Sequence, residues 1–295
     1  MEALLTVWER SAEFFSFEYR FATQALVASV LVGSTCALVG VFMVLRRMAL
    51  VGDAAAHASL PGVCLGFLVA GGKSAVWVLL GAVGTAGAAG FLISKISQGA
   101  RVRSDAAIGI VLASFFGLGI VLLSYVQNSP TGAQAGLKSF LFGNAAGVDL
   151  LQLAMLGGVF LTLGLMVILG WRALVITSFD ASFSSSIYLP TARIHGLLLV
   201  AISGAVVVSI QAVGVVLVSA MMIIPANAAL QISSRIHVVA LLSVVFGAVA
   251  GLVGAYVSFI FAGVSTGPAM VVTSSFIFGL CVLARVSRMS RRLAL

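Results

Sequence analysis

Residues 196–231 read GLLLVAISGAVVVSIQAVGVVLVSAMMIIPANAALQ and contain no charged side chain. As one continuous helix this stretch would be about 54 Å long, at about 1.5 Å per residue, whereas the hydrocarbon core of a bilayer is about 30 Å thick. We therefore expect the stretch to cross a membrane twice. Gln211 and Gly214 lie at its middle, where a polar side chain beside a flexible backbone favours a tight turn.

The composition of the whole chain also indicates a membrane protein. Of its 295 residues, 61% are hydrophobic and 8% are charged, and the mean hydropathy is +1.22. A soluble domain has about a quarter of its residues charged, so this composition excludes a soluble protein. The 32 glycines and five prolines are typical of helices in lipid. We predict an all-α fold, a single polytopic transmembrane helix bundle over residues 1–295.

Apolar runs between charged or Gly/Pro-containing breaks give nine candidate spans, or eight if one segment is re-entrant. Residues 1–21 form an N-terminal flank whose mixed charges and aromatic side chains are typical of an interfacial helix. The longest outside connection, 127–149, contains a semi-apolar patch at 140–142 that would dip into the bilayer or cap its outer face. The nine runs are 24–45, 54–70, 75–94, 105–126, 150–171, 196–211, 214–232, 238–261 and 268–284.

The net charge of +8 is better explained by membrane topology than by nucleic-acid binding, because cytoplasmic loops collect Lys and Arg. With the N-terminus outside, twelve of the 16 basic residues lie on the inside. We therefore expect a cytoplasmic C-terminus with a basic tail at 285–295. The twelve are Arg46, Arg47, Lys95, Arg101, Arg103, Arg172, Arg193, Arg235, Arg285, Arg288, Arg291 and Arg292.

The longest inside connection, 172–195, favours a short amphipathic helix at 181–189. Asp180 is a good N-cap, and Phe183 and Ile187, four residues apart, lie on one helix face. Such a helix suits docking onto a cytoplasmic partner. The pattern leaves open the alternative of a solvated loop that lies on the membrane surface.

Two ionisable residues inside a span are the best candidates for a functional site. They occur in residues 46–66, RRMALVGDAAAHASLPGVCLG, where Asp53 and His57 are four apart and would project from one helix face. A carboxylate and an imidazole can bind one divalent cation, and a homodimer would supply four ligands around a shared axis. We expect a short helix bounded by Asp53 and by Pro61 with Gly62. The alternative is an N-cap role for Asp53, paired with Arg46 or Arg47.

The other polar and sulfur-containing residues favour structural roles. Asp105 and Asp149 begin predicted spans and would cap them, while His195 and His237 would be interfacial anchors. Pro225 would kink its helix, close to Met221, Met222 and Asn227, and the methionines are interpreted as packing residues. The single cysteines Cys36, Cys64 and Cys281 lack the spacing of a disulfide framework or a cysteine metal site.

Three ordered blocks resemble permease subunits of the manganese/zinc/iron family of bacterial ABC importers, the ABC-3 family. The first block is residues 46–66. The second, SDAAIGIVLASFFGLGIVL at 104–122, resembles the family's Asp-Ala-Ala-Ile-Gly block, and VGVVLVSAMMIIPANAAL at 213–230 resembles its later Gly-to-Pro segment. With KSFLFGN at 138–144, the resemblance covers residues 22 to 285.

The resemblance implies a membrane domain of the vitamin-B12-importer type (type II ABC importer) in the bacterial inner membrane. A second permease copy or a homologous permease, two cytoplasmic ATP-binding subunits and an external metal-binding protein would be its partners. It implies Asp53 and His57 as pathway ligands and a coupling helix at 180–190. There this chain reads DASFSSSIYLP, whereas family members usually have Ala and then Gly after the Asp.

The expected activity is therefore ATP-driven import of Mn, Zn or Fe ions, with Pro61 and Pro225 as kink or gating residues. The chain has no G-x-x-x-x-G-K-[ST] phosphate loop, so we expect a transport subunit that is not itself an enzyme and binds no cofactor. One rival is a secondary transporter or channel that uses Asp53 and His57 as an ion relay without an ATPase. A second is an intramembrane metalloenzyme, for which no third strong ligand is evident.

Overall fold

The computed structural model describes residues 11, 13–14, 20–71, 74–99, 102–128, 147–261 and 263–293. Within these ranges the regular structure is entirely helical, as the hydropathy pattern predicts. The helices are α1 (Arg20–Leu45), α2 (Ala49–Ala70), α3 (Ala75–Gly99), α4 (Ser104–Gln127), α5 (Leu150–Phe179), α6 (Ala181–Ser186), α7 (Thr191–Val213), α8 (Val215–Ile232), α9 (Ile236–Ile260) and α10 (Thr266–Leu293).

Each of the nine predicted spans corresponds to one of these helices. Eight helices are long and apolar enough to cross a membrane in the described part of the chain, and the ninth, α8, is shorter. Its apolar part, Leu217–Ile232, is about 24 Å long at about 1.5 Å per residue. A helix of that length falls short of the hydrocarbon core of about 30 Å, and α8 instead lies inside the bundle, with Met221 and Met222 fully buried.

The uncharged stretch does break where the sequence predicts. α7 ends at Val213, and Gly214 has a φ of 94° before α8 begins, a backbone conformation that glycine adopts without steric cost. The start of α10 lies at this junction, because a Cβ on Gly267 would be 2.5 Å from the carbonyl oxygen of Val213. Near the other end of α10, Arg285 Nη1 donates to Gln231 Oε1 at 2.7 Å. α8 therefore returns to the end of the bundle from which α7 started.

Close backbone approach holds the centre of the bundle together. A Cβ on Gly33 of α1 would overlap the carbonyl oxygen of Gly247 in α9, and a Cβ on Gly247 would overlap that of Gly33. One helical turn away, Ser243 Oγ donates to the carbonyl oxygen of Ala37 at 3.0 Å. Small residues at helix crossings are the usual means of association in lipid, where lipid tails are as apolar as the side chains. α1 and α9 are therefore antiparallel neighbours.

The same packing fixes α2, the helix of the predicted ion site. Gly62 of α2 and Gly81 of α3 meet backbone to backbone, and a Cβ on either would overlap the other's carbonyl oxygen. On another side, a Cβ on Gly119 of α4 would lie 3.0 Å from Pro61 Cδ. α2 is thus held between α3 and α4.

The expected short helix between Asp53 and Pro61 is wrong. α2 begins at Ala49, so Asp53 lies inside the helix rather than at its N-cap, and the helix continues through Pro61 to Ala70. Proline removes one backbone hydrogen bond, here to the carbonyl of His57, but in a membrane bundle neighbouring helices tolerate such a gap. The contact of Pro61 with Gly119 of α4 stabilises α2 as one continuous helix at this position.

Most of the described basic residues lie at one end of the bundle. We call this end the Arg46 end. α1, α3, α5, α8 and α10 finish there, and α2, α4, α7 and α9 begin there. Arg20, at the start of α1, lies at the opposite end. Described basic residues at or near the Arg46 end are Arg46, Arg47, Lys95, Arg103, Arg172, Arg193, Arg235, Arg285, Arg288, Arg291 and Arg292.

Several predicted features lie outside the described residues. They are most of the flank 1–21, the patch 140–142, the KSFLFGN segment and the basic residues Arg10, Lys73, Arg101 and Lys138.

Candidate metal pathway and coupling segment

The helical spacing of Asp53 and His57 brings their side chains together, as predicted. Asp53 Oδ1 and His57 Nε2 are 3.6 Å apart, too far for a hydrogen bond. Both side chains keep partial exposure, 37% for Asp53 and 21% for His57. The pair therefore presents a carboxylate oxygen and a ring nitrogen side by side at an accessible place on α2.

The surroundings of His57 separate its two ring nitrogens. The edge-to-face contact with Phe116 of α4 has ring centroids 5.0 Å apart. Nδ1 is buried and has no hydrogen-bond partner among the described residues, whereas Nε2 is the nitrogen that lies 3.6 Å from Asp53 Oδ1. A metal-bound neutral imidazole carries its proton on the other nitrogen, and metal binding through Nε2 would place that proton on Nδ1.

The structure does not show the ion pair with an arginine that the alternative interpretation predicts for Asp53. Among the described residues Asp53 forms an ion pair with neither Arg46 nor Arg47, and Arg46 bonds to residues of α5 and α7, so the alternative pairing of Asp53 with Arg46 or Arg47 is wrong. The backbone before Asp53 is packed instead: a Cβ on Gly52 would be 3.1 Å from Met43 Sδ and 3.3 Å from Met222 Sδ. This agrees with the interpretation of the methionines as packing residues.

The separation of the two ligand atoms fits a shared divalent ion. An ion that binds both at about 2.1 Å in tetrahedral geometry separates them by about 3.4 Å, close to the observed 3.6 Å. No group of three His, Cys, Asp or Glu side chains that could hold a metal occurs among the residues searched, the described ones. Two ligands from one chain suit a site that holds an ion briefly.

The predicted segment after α5 contains a shorter helix than expected. Asp180 Oδ1 accepts a hydrogen bond from the backbone N–H of Phe183 at 2.8 Å, which is the predicted N-cap. α6 then ends at Ser186 rather than at 189, because Tyr188 adopts a φ of 58°, which a right-handed helix does not allow. Residues 180–190, where the family resemblance predicts a coupling helix, are called the coupling segment.

The coupling segment exposes apolar side chains at the Arg46 end. Phe183 is 54% exposed, Ile187 44% and Tyr188 96%. Exposed apolar groups that cluster on one short segment are typical of an interaction surface. The sequence does not single out Tyr188, whose exposure depends on the turn after α6.

The remaining predicted residues lie at helix starts or inside a helix. Asp149 is the N-cap of α5, and its backbone N–H donates to Gln152 Oε1 at 3.0 Å. Asp105 lies in the first turn of α4, after the N-cap residue Arg103, so the prediction that it is the cap is off by two residues. Pro225 lies inside α8, which continues to Ile232, and Asn227 Nδ2 donates to the carbonyl oxygen of Ile223 at 2.9 Å.

One polar cluster is missed by the sequence analysis. Arg46, which the sequence predicts only as an inside charge or a partner of Asp53, donates to Thr177, Ser178 and His195. Burial lowers the pKa of its guanidinium. No sequence signal indicates this cluster, because its members are more than 130 residues from Arg46 in the chain.

Eight helices of the described chain are long and apolar enough to cross a membrane, which defines a multi-pass membrane protein. The chain belongs to the ABC 3 transport family, whose model matches residues 18–285. It is accordingly a multi-pass protein of the bacterial inner membrane.

Similar proteins have names that refer to metals. The "Manganese transport system membrane protein MntC" of Bacillus subtilis is 39% identical over 86% of this chain, and the match spans 58% of that protein's length. The "Zinc transport system membrane protein TroC" of Treponema pallidum is 38% identical over 83% of each chain. The solved complex of PsaBC from Streptococcus pneumoniae with a Fab matches with a TM-score of 0.81 and 32% identity, over 92% of this chain and 94% of that one.

Proposed function

We propose that this chain is the membrane-spanning permease of an ATP-driven importer of Mn, Zn or Fe ions. The observation that carries the proposal is the facing pair of Asp53 Oδ1 and His57 Nε2, 3.6 Å apart and partly exposed. A carboxylate and an imidazole suit all three ions. The names of the manganese and zinc transport proteins that match the chain support the same substrate class.

The proposed assembly contains two ATP-binding subunits, an external metal-binding protein and a second permease, either a copy of this chain or a homologue. Two ligands from each permease would give four around the ion, the number that zinc commonly takes. The bundle would lie among membrane lipids with its Arg46 end in the cytoplasm, because positively charged ends stay inside.

Energy would enter through the coupling segment. Asp180 caps α6, and Phe183 and Ile187 would contact the ATP-binding subunit. Closure of two such subunits on ATP would move α6, and the bundles would then rock and switch access to Asp53 and His57 from outside to inside. Pro61 and Pro225, which lack one backbone hydrogen bond each, would let α2 and α8 bend during the switch.

The test of this function is ion uptake by proteoliposomes that contain the permease, its ATP-binding subunit and the external binding protein. With Mn²⁺, Zn²⁺ or Fe²⁺ as the probe, we expect ATP-dependent uptake by the unaltered chain. Asp53→Asn and His57→Gln should reduce uptake to the level of protein-free liposomes, because each removes one of the two ligands from a site that has few.

Asp105→Asn is the matched control, since it makes the same chemical change in an exposed first-turn carboxylate of α4. It should leave uptake unchanged, with equal amounts of each protein in the membrane. Normal uptake by both Asp53→Asn and His57→Gln would reject the ion site. Uptake by the purified chain alone, without ATP-binding subunit or ATP, would favour the secondary transporter or channel instead.

A further inference from the structure

Arg46 connects three helices at the Arg46 end of the bundle. Its Nη2 donates to Thr177 Oγ1 at 2.6 Å and its Nε donates to Ser178 Oγ at 3.1 Å, both in the last turn of α5. Its Nη1 donates to His195 Nδ1 at 3.2 Å, in the second turn of α7. The two helices that flank the coupling segment are therefore joined through one side chain.

The hydroxyl groups are oriented to accept these bonds. Thr177 Oγ1 donates its own proton to the carbonyl oxygen of Ala173 at 2.7 Å, and Ser178 Oγ donates to that of Leu174 at 2.5 Å. Each hydroxyl has one proton, so its lone pairs are left for Arg46. His195 accepts through Nδ1, which places its ring proton on Nε2. The guanidinium group therefore donates from three different nitrogens to three acceptors, and the orientation of each acceptor is fixed by its own hydrogen bonding or tautomer.

These acceptors are all uncharged, and no carboxylate pairs with Arg46 among the described residues. The half-buried guanidinium has exchanged water for two hydroxyls and an imidazole. Hydrogen bonds from a charged donor are about twice as strong as neutral ones. The cluster therefore fixes position rather than neutralising charge.

Arg46 is also tied closely to the helix of the ion site. Only Arg46, Arg47 and Met48 separate α1 from α2. This turn is tight, because the N–H of Met48 donates to the carbonyl oxygen of Met43 at 2.9 Å and Arg47 has a φ of 57°. A displacement of Arg46 is therefore passed directly to the first turn of α2, one turn before Asp53.

We infer that Arg46 is a positioning residue that links the coupling segment to the ion site, by holding the end of α5 and the start of α7 against the turn that begins α2. The inference rests on the proposed function, in which α6 receives the motion of the ATP-binding subunit. Arg46 would pass that motion to Asp53 and His57. Its bonds would be needed for the coupling of uptake to ATP hydrolysis, and not for ion binding itself.

The test measures ions taken up per ATP hydrolysed in the same proteoliposomes, with Mn²⁺ as the probe. Arg46→Lys keeps the positive charge but replaces the planar fork with a point charge. We expect uptake per ATP to fall about tenfold, as for the loss of one charge-assisted hydrogen bond, while Mn²⁺ binding by the permease at equilibrium is unchanged.

A second pair of variants covers the case in which Arg46→Lys fails to fold. Thr177→Val keeps the shape of the side chain and removes the hydroxyl, and should also lower uptake per ATP. Thr177→Ser restores the hydroxyl and should restore the ratio. A structural role alone would lower uptake and hydrolysis in proportion and leave their ratio unchanged.

An unchanged ratio in both Arg46→Lys and Thr177→Val, with ATP-dependent uptake by the unaltered complex, would overturn this inference and leave the proposed function standing. Absence of ATP-dependent uptake by the unaltered complex would overturn both. Loss of equilibrium Mn²⁺ binding in Thr177→Val would also overturn the inference, since it would place the cluster in the binding step.

Discussion

At the scale of single residues, the ion site depends on a short spacing between two residues, which can be read from the sequence. Asp53 and His57 are four apart, and any α-helix through them brings their side chains onto one face. Their pairing was therefore predictable. The contact of His57 with Phe116 was not, because it depends on how α4 packs against α2. The same packing carries α2 past Pro61, which the sequence analysis interprets as a stop.

Pro61 gives a prediction at this scale. Pro61→Ala adds an N–H that can donate to the carbonyl of His57, and so it stiffens α2 one turn beyond the site. We expect the maximal uptake rate to fall about fivefold, the effect of one net hydrogen bond of about 1 kcal/mol on a conformational equilibrium. The ion concentration for half-maximal uptake should stay the same in a rate measurement on proteoliposomes.

Pro268→Ala is the matched control. Pro268 lies in the first turn of α10, where a backbone N–H has no partner within the helix, so the substitution adds no ladder hydrogen bond. An unchanged maximal rate for Pro61→Ala would contradict a gating role for this proline.

At the scale of elements, the start of α6 is easier to predict than its end. A carboxylate accepts bonds from free N–H groups, so the sequence predicts Asp180 as an N-cap, and the bond that it accepts from Phe183 agrees. The end of α6 depends on Tyr188, which takes a positive φ that non-glycine residues seldom adopt. No glycine marks this turn, so the pattern predicts a helix that is too long.

The exposed face of α6 gives the element-scale prediction. Phe183→Ser removes an apolar group that would be buried by the ATP-binding subunit, and the affinity of permease and subunit should fall about tenfold, since burial of such a group contributes about 1.5 kcal/mol. A binding titration of the detergent-solubilised permease with the purified subunit measures this affinity.

Phe276→Ser serves as the comparison, because Phe276 is 68% exposed but lies in the apolar span of α10, remote from the coupling segment. Its affinity for the subunit should equal that of the unaltered chain. Equal loss in both variants would indicate a general effect on folding, and no loss in either would reject α6 as the docking element.

At the scale of the whole molecule, hydropathy predicts how many helices there are and where the chain turns, because each span must be apolar and about 20 residues long. Contacts between distant helices are a different matter. The bond from Arg46 to Thr177 joins residues 131 positions apart, and no local pattern contains it. The arrangement of the helices, and with it the Arg46 cluster, therefore cannot be predicted from the sequence pattern and is seen only in the structure.

The orientation of the bundle can be tested with single cysteines. Ser287→Cys lies near the end of α10 and Asn128→Cys just after α4, at opposite ends of the bundle. Both are placed in a chain whose buried Cys36, Cys64 and Cys281 are replaced by Ala. A membrane-impermeant maleimide should label Asn128→Cys in intact spheroplasts and Ser287→Cys only in inverted vesicles, because basic ends stay inside.

Retained uptake by the cysteine-free chain is the control for this labelling. Labelling of Ser287→Cys in intact spheroplasts would contradict the predicted orientation. It would place the coupling segment outside the cytoplasm.

The shortness of α8 sets a condition on how the protein enters the bilayer during synthesis. Its apolar part leaves about 6 Å of the hydrocarbon core unspanned, and α9 and α10, which pack against it, are made after it. A nascent chain that ends at Ile232 contains only some of the helices that pack against α8 in the finished bundle. Until the ribosome has completed α9 and α10, the unfinished bundle or the protein-lined translocon has to shelter α8 from lipid.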